Sequence, residues 1–254
     1  MKYAAILAAL AGIATALPSF TEGTVSQRAS RRDAMKPRHR TAPNRNITYP
    51  SDSSDVSESS NWSGAVQIGT GFNKVVGTII APKATGGSSK AASAWVGIDG
   101  DTCQTAILQT GISFYGDGSY DAWYEWIPNG SVSFDNFDIS EGDSIYMEVD
   151  ASSKTSGKAI LENMTTGQKV THTFSSPPSS LCETNAEWIV EDFEEDGSLV
   201  PLANFGSITF TGASASGSSG TVTPAGATII YMEQNNKVLS KCATSGNDLT
   251  CTYE

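Results

Sequence analysis

The sequence predicts an all-β domain, a concanavalin- or lectin-like sandwich of two large antiparallel sheets, from three observations. From Asn61 onward, short runs rich in Val, Ile, Thr, Tyr and Trp are separated by clusters of Gly, Ser, Asn and Asp, the pattern that β-formers make between turn-formers. No run keeps a helical period over three turns, and turn signals such as Gly116-Asp117-Gly118 recur at strand-sized intervals. Finally, about 200 residues of this kind follow one another without a linker, and strands with one apolar face must bury it against a second sheet. The expected strands are, in order, Lys74–Ala81, Ala92–Asp99, Thr105–Ile112, Tyr120–Ile127, Ser144–Ala151, Ala186–Phe193, Ile208–Thr211 and Thr228–Met232.

The first residues have a different character. Met1 to Ala16 carry one lysine, an apolar run from Tyr3 to Leu10 and the small-x-small triplet Ala14-Thr15-Ala16, the form of a cleaved secretory signal peptide. Residues 1–16 are therefore expected to direct the chain to the extracellular space, and the apolar run is too short for a membrane anchor. Residues 17–55 hold Arg28, Arg31, Arg32, Lys36, Arg38, Arg40 and Arg45 among Ser, Pro and Thr. A segment so poor in apolar periodicity cannot bury a core of its own. In an exported chain it reads as a pro-segment rather than a nucleic-acid-binding arm, which leaves 56–254 as the functional domain.

From Ser51 onward there are eight lysines, no arginine and twenty-five Asp and Glu, a net charge of minus seventeen. A cationic leader tethered to such a polyanion binds it at neutral pH and loosens as carboxylates protonate near pH 4. The expectation is an acid-triggered zymogen inhibited by its own pro-segment; a leader that only assists folding is the alternative. Crowded carboxyls whose folded pKa values are raised also predict a domain most stable in acid.

The four cysteines, Cys103, Cys182, Cys242 and Cys251, suggest two disulfides in an oxidising compartment. Ser245-Gly246-Asn247-Asp248 reads as a hairpin turn, which favours Cys242 with Cys251 and leaves Cys103 with Cys182. His172 is the one histidine after the leader, so neither a zinc site nor any other metal or cofactor site is expected. Sequons at Asn46, Asn61, Asn129 and Asn163 are glycosylation candidates where exposed.

Residues two apart on a strand share a face. Trp95, Gly97 and Asp99 lie together on this basis, as do Ile107 and Gln109, Trp123 and Glu125, and Glu187, Ile189 and Glu191. Large aromatics beside carboxylates suit the lining of a cleft better than an ordinary solvent face. Familiar catalytic signatures are missing: there is no Gly-x-Ser-x-Gly, no histidine placed for a serine triad, and Asp101-Thr102 is followed by Cys103 where a pepsin-like enzyme has glycine. What remains is carboxylate chemistry, either peptide hydrolysis in acid or glycoside hydrolysis by a glutamate pair.

Five blocks decide between these. Asn61-Trp62-Ser63-Gly64-Ala65, the run from Ala94 to Gly111 (AWVGIDGDTCQTAILQTG), Asp121-Ala122-Trp123-Tyr124-Glu125-Trp126, Ser140-Glu141-Gly142-Asp143 and the run from Asn185 to Phe193 (NAEWIVEDF) resemble, in order, the signature blocks of the glutamic peptidase (eqolisin) family. The resemblance implies two seven-stranded antiparallel sheets with the active site on a concave face. It implies a catalytic pair at Gln109 and Glu191, and a site also lined by Trp95, Asp99 and Glu125; strand parity adds Trp123. The expected activity is acid endopeptidase action on polypeptides by a monomer. The sequence departs from the family pattern at Ser63, where glycine is frequent, at Ile127, which replaces an aromatic, and at Glu194-Glu195-Asp196-Gly197, which lacks a cysteine-closed loop. The rival readings are a sandwich glycoside hydrolase using Glu125 and Glu191, with Trp95 and Trp123 stacking on sugar, and a carbohydrate-binding module with the same tryptophans.

Overall fold

The computed structural model describes residues 39–45, 47, 48 and 56–254, which contain strands and turns but no helix. The proposed signal peptide, the pro-segment before residue 39 and the sequon at Asn46 lie outside the described residues. The compact unit begins at Arg38 and runs to Glu254, so the last part of the proposed pro-segment is packed with the domain.

The cleft-forming layer is built from Asp248–Tyr253, Lys237–Ser245, Thr228–Gln234, Trp62–Ile68, Asn185–Glu191, Gly87–Ile98, Leu108–Gly116 and Tyr120–Trp126, hydrogen-bonded in that order. The second layer runs from Gln168–Ser175 through Ser156–Asn163, Ser144–Ser153 and Phe72–Ile80 to Ser207–Gly217. This last strand belongs to both layers. Residues 207–210 pair with Asp248–Tyr253, a register shift follows between Thr211 and Ser214, and residues 211–217 pair with Phe72–Ile80. A bulged strand that bends in this way turns a sheet over onto itself, so the two layers form one continuous hydrogen-bonded sheet. The main departure from antiparallel order is Val56–Ser59, which runs parallel to residues 229–232.

Alternation along the strands produces the sandwich. One face of the cleft-forming layer sends Val96, Ile98, Ile112, Phe114, Trp126, Trp188 and Val190 into a core shared with Val75, Ile79, Ile145, Met147, Val149, Leu161 and Phe210 of the second layer. Trp188 ties the layers by a polar contact too, its indole N–H donating to the Val76 carbonyl at 2.8 Å. The expected strands are present with shifted ends. Thr105–Ile112 moves most, because the observed strand begins at Leu108. Upstream, Asn185 Oδ1 accepts the N–H groups of Thr102 and Cys103 at 2.9 and 3.3 Å and holds residues 102–103 as a loop. The acidic stretch closes a tight hairpin between Glu194–Glu195 and Ser198–Leu199. Its turn residues Asp196 and Gly197 both have positive φ, 51° and 81°, as a two-residue type I′ turn requires.

Both disulfides form, Cys103–Cys182 and Cys242–Cys251, the second between directly opposed residues of one hairpin. Two sequons are corrected. Asn61 is fully buried with its Nδ2 donating to the Ala42 and Pro43 carbonyls, and Asn163 is buried with its Nδ2 donating to Asp138 O and Asp143 Oδ2. Neither amide is open to a glycan, whereas Asn129 is exposed.

The disulfides close loops of very different length, 79 and 9 residues in sequence separation; chain entropy alone makes them worth about 4.5 and about 2.6 kcal/mol. Replacing Cys103 and Cys182 by serine is expected to lower the thermal midpoint more than replacing Cys242 and Cys251. Calorimetry of both double variants at pH 4 checks the order.

Candidate active site

Register aligns the chemically important side chains into rows across five neighbouring strands. Val66, Glu187, Gly97, Gln109 and Glu125 are successive cross-strand partners, and so are Gly64, Ile189, Trp95, Gly111 and Trp123. Trp62 stands opposite Glu191 in the next row. All three rows share the face turned away from the main core. Their apolar members Trp62, Val66, Trp95, Trp123 and Ile189 form a separate buried cluster with Ile107, Ile127 and Ile230, which is the floor of the cleft.

Glycines make room for this floor. A Cβ at Gly111 would lie 2.2 Å from the Ala94 carbonyl oxygen and 2.5 Å from Trp95 Cβ, and one at Gly97 would lie 2.8 Å from the Trp95 ring. Trp95 therefore lies over two positions that can carry no side chain. Its ring packs edge-to-face on Trp62, with centroids 4.9 Å apart, and its indole N–H reaches Glu191 Oε2 at 2.8 Å.

Glu191 and Gln109 flank a single dipeptide, Thr41-Ala42. Glu191 Oε1 accepts the Ala42 N–H at 3.0 Å. Gln109 Nε2 donates to the Thr41 hydroxyl and, at 2.9 Å, to Glu125 Oε2, and that same carboxyl oxygen also accepts the Thr41 hydroxyl. Gln109 Oε1 makes no hydrogen bond among the described residues. The Ala42 carbonyl accepts from Trp62 Nε1 at 3.0 Å and from Asn61 Nδ2 at 3.3 Å. Glu191, Gln109, Glu125, Trp95 and Trp123 thus converge on one cleft, the first three around the dipeptide and the tryptophans in its floor.

Asp99 is placed differently. It follows directly on the strand Gly87–Ile98 with φ 69°, where face alternation lapses. Its carboxylate accepts the backbone N–H groups of Cys182, Glu183, Thr184 and Asn185 at 2.7–3.2 Å, pinning the disulfide-bearing loop rather than touching the dipeptide. Asp99, Cys103 and Cys182 also lie together, but the disulfide takes both sulfurs.

Burial dominates the electrostatics. Desolvation pushes the Glu191 carboxyl up to about 8, against the opposing effect of the N–H donors of Ala42, Trp95 and Trp62. Burial likewise pushes Asp192 up to about 7, although Gln234 Nε2 donates to its Oδ2 at 2.7 Å. Glu187 is fully buried, and neither of its carboxyl oxygens has a hydrogen bond among the described residues. Burial first, then the charges of Asp99 and Asp101, raise its pKa well above the usual carboxylic range. Sequence parity placed Glu187 on this face; its isolation follows from Gly97 on one side and Val66 on the other, neither of which offers a donor.

These raised values fix the sign of the pH dependence. The stabilisation is complete below the unfolded carboxyl pKa and is lost as pH rises through the folded values, about 7 for Asp192 and about 8 for Glu191. The domain should resist denaturant better at pH 4 than at pH 8. Glu187→Gln, which removes a charge with no partner, is expected to gain more than about 1 kcal/mol over wild type at pH 8 and little at pH 4. Denaturant titrations at the two pH values measure both differences.

The Peptidase A4 family matches residues 60–253. The chain is 46% identical to aspergillopepsin-2 of Aspergillus niger and 46% identical to scytalidopepsin B of Scytalidium lignicola, with each pair covered over its full length. Its structure is similar to that of scytalido-glutamic peptidase with a transition-state analogue inhibitor, at a TM-score of 0.75 and 52% identity over 77% of this chain and 98% of the other. It is also similar to aspergilloglutamic peptidase of Aspergillus niger, at a TM-score of 0.63 and 57% identity over 65% of this chain and 99% of the other.

Proposed function

Because the chain belongs to the Peptidase A4 family of glutamic peptidases, we propose that it is a secreted acid endopeptidase in which Glu191 and Gln109 cleave peptide bonds and residues 39–48 hold the enzyme latent. One observation carries the reading: a stretch of the chain's own peptide lies between Glu191 and Gln109, with a peptide N–H on the carboxyl. Export is supported by the leader pattern and the two disulfides.

The chemistry follows from these contacts. Once residues 41–42 have left and water has brought Glu191 back toward the ordinary carboxyl range, its carboxylate takes a proton from a water molecule held beside it, and the resulting hydroxide attacks the scissile carbonyl carbon of an incoming substrate. The carbonyl electrons move onto its oxygen, where Gln109 Nε2 donates a hydrogen bond; an amide keeps this ability in strong acid because it does not titrate. Glu191 then returns the proton to the nitrogen, the C–N bond breaks, and an acid and an amine leave. A substrate lying along the same path as Thr41-Ala42, whose Ala42 N–H reaches Glu191 Oε1, would bring its leaving nitrogen beside that carboxyl. Glu125 holds Nε2 from the far side and so orients the amide.

The pro-segment rests in the cleft without presenting a carbonyl to Gln109, which is occupied by the Thr41 hydroxyl. Further contacts anchor it. Asn44 donates to the Gly100 carbonyl at 3.0 Å and to Asp101 at 2.7 Å, and Arg45 pairs with Glu194 at 2.6 Å. Acid acts on these contacts in opposite directions. Burial of Glu191 favours its protonated form, so a falling pH does not expel Ala42 through that group. Release in acid rests instead on the overall attraction between the cationic segment and the polyanionic domain, which weakens as carboxylates protonate; Arg45 on Glu194 and Asn44 on Asp101 are two of its contacts.

Digestion of an unfolded protein by the acid-activated chain tests the dyad. Cleavage is expected at pH 3 and not at pH 7. Gln109→Ala should reduce the rate by about 10²- to 10³-fold and Glu191→Gln should abolish it, both variants remaining folded. Activity surviving in Glu191→Gln would return the case to sugar-cleaving or sugar-binding sandwiches. A synthetic peptide of residues 38–48 should inhibit the activated enzyme more strongly at pH 5 than at pH 3, and an Arg45→Glu version should bind more weakly. Inhibition indifferent to both changes would remove the electrostatic latch.

A further inference from the structure

The turn at residues 127–130 carries the start of a sequon, Asn129-Gly130-Ser131, and lies beside a groove lined by none of the cleft residues. Hydrogen bonds fix the turn. The Ile127 N–H donates to the Ile107 carbonyl and the Asn129 N–H to the Trp126 carbonyl, each at 3.0 Å, and the Ser179 hydroxyl donates to the Ile127 carbonyl. Asn129 is exposed and itself forms one end of the groove wall, with the rings of His172, Phe174, Pro177 and Pro178 along the rest. Ser175 and Ser176, both exposed, bring hydroxyls to the same groove. The aromatic part of the wall is braced from behind: His172 stacks on Tyr124 with centroids 3.9 Å apart, and Phe174 meets Trp126 at 5.4 Å. The groove measures about 310 Å³, at the small end of ligand clefts, which run from about 300 Å³ upward.

We propose that Asn129 carries an N-linked glycan whose first N-acetylglucosamine seats in this groove and ties the turn at 127–130 to residues 172–178. During export the Asn129 side-chain nitrogen attacks the anomeric carbon of an oligosaccharide carried on a polyprenyl diphosphate. The new C–N bond forms as the C–O bond to the diphosphate breaks, the lipid diphosphate leaves, and the nitrogen gives up one proton to a base of the transferase. A sugar ring has an apolar face of C–H groups and a rim of hydroxyl and acetamido groups. The groove offers both matches, rings along its wall and the hydroxyls of Ser175 and Ser176. The link from Asn129 is short, so the first sugar lies either in this groove or in water, and burial of its apolar face favours the groove. The sequons at Asn61 and Asn163 are closed to a glycan because their amides are buried and hydrogen-bonded. A sugar held here bridges the end of Tyr120–Trp126 and the edge strand Gln168–Ser175, which belong to different layers. It thereby braces the turn whose Ile127 side chain forms part of the cleft floor.

The proposal rests on the export part of the functional reading, and the experiment separates the two. The full chain is produced in a eukaryotic secretory host and collected from the medium, so its presence there reports export alone. Peptide mapping by mass spectrometry is expected to find a glycan on Asn129 and none on Asn61 or Asn163. Trimming with an endoglycosidase to a single N-acetylglucosamine should leave the thermal midpoint unchanged, whereas Asn129→Gln should melt about 2–4 °C lower. In the trimmed protein, NMR should show contacts between the N-acetyl methyl group and the Phe174 ring. In a Phe174→Leu background the difference between the glycosylated chain and Asn129→Gln should vanish, as a double-mutant cycle requires of groups in contact. A secreted chain bare at Asn129 would overturn the proposal with export intact. So would a glycan that makes no contact with Phe174, or one whose stabilising effect persists in the Phe174→Leu background.

Discussion

Everything at the active site depends on one carboxyl group kept out of water. Glu191 sits on a strand whose residues are all buried, between the sandwich core behind it and Thr41-Ala42 in front. A bare carboxylate there would be strongly disfavoured, and the structure offsets this with the Trp95 indole and the Ala42 amide, one on each oxygen. These donors do not cancel the burial, so the group stays easily protonated. A carboxyl in this balance can change proton state when a peptide replaces water, which is what a general base that later serves as a general acid requires.

The surrounding architecture follows from that requirement. Trp95 can reach Glu191 only because Gly97 and Gly111 leave the sheet bare beneath its ring. Gln109 is brought to the same cleft by register with Glu125 and Gly97, and Glu125 fixes its amide. The Cys103–Cys182 disulfide and the Asp99 carboxylate secure the loop that leads into the Glu191 strand. The result is an active site carried by strands in a rigid sheet rather than by loops.

Much of this was legible in the sequence, because strand alternation is a strict code. Parity put Trp95, Gln109, Trp123, Glu125, Glu187 and Glu191 on particular faces of four separate strands without saying whether those faces meet; cross-strand register brings them to one side of the sheet, and family resemblance singled out Gln109 and Glu191 as the expected catalytic pair. The code failed where the backbone leaves the extended region. Asp99 at positive φ turns its carboxylate to residues 182–185, and the start of Thr105–Ile112 is a loop held by Asn185. Residues 39–45, 47 and 48 could not be read as ordered, since their composition has no periodicity of its own. Their order comes from contacts with residues near 60, 100, 109, 125 and 191–195, which are distant in sequence. For the same reason, the burial of Asn61 under Ala42 and Pro43 has no local signature.

The central claim is that the proposed pro-segment, through Thr41-Ala42, controls the proton affinity of Glu191 by burying it. The most direct test is a titration of the Glu191 carboxyl carbon by NMR, in the full chain and again after acid activation has removed residues 39–48. The account predicts a value of about 8 in the full chain and a fall toward the ordinary carboxyl range, about 4, once water reaches the group, because desolvation is the largest cause of the shift. An unchanged value after removal of the segment would contradict it.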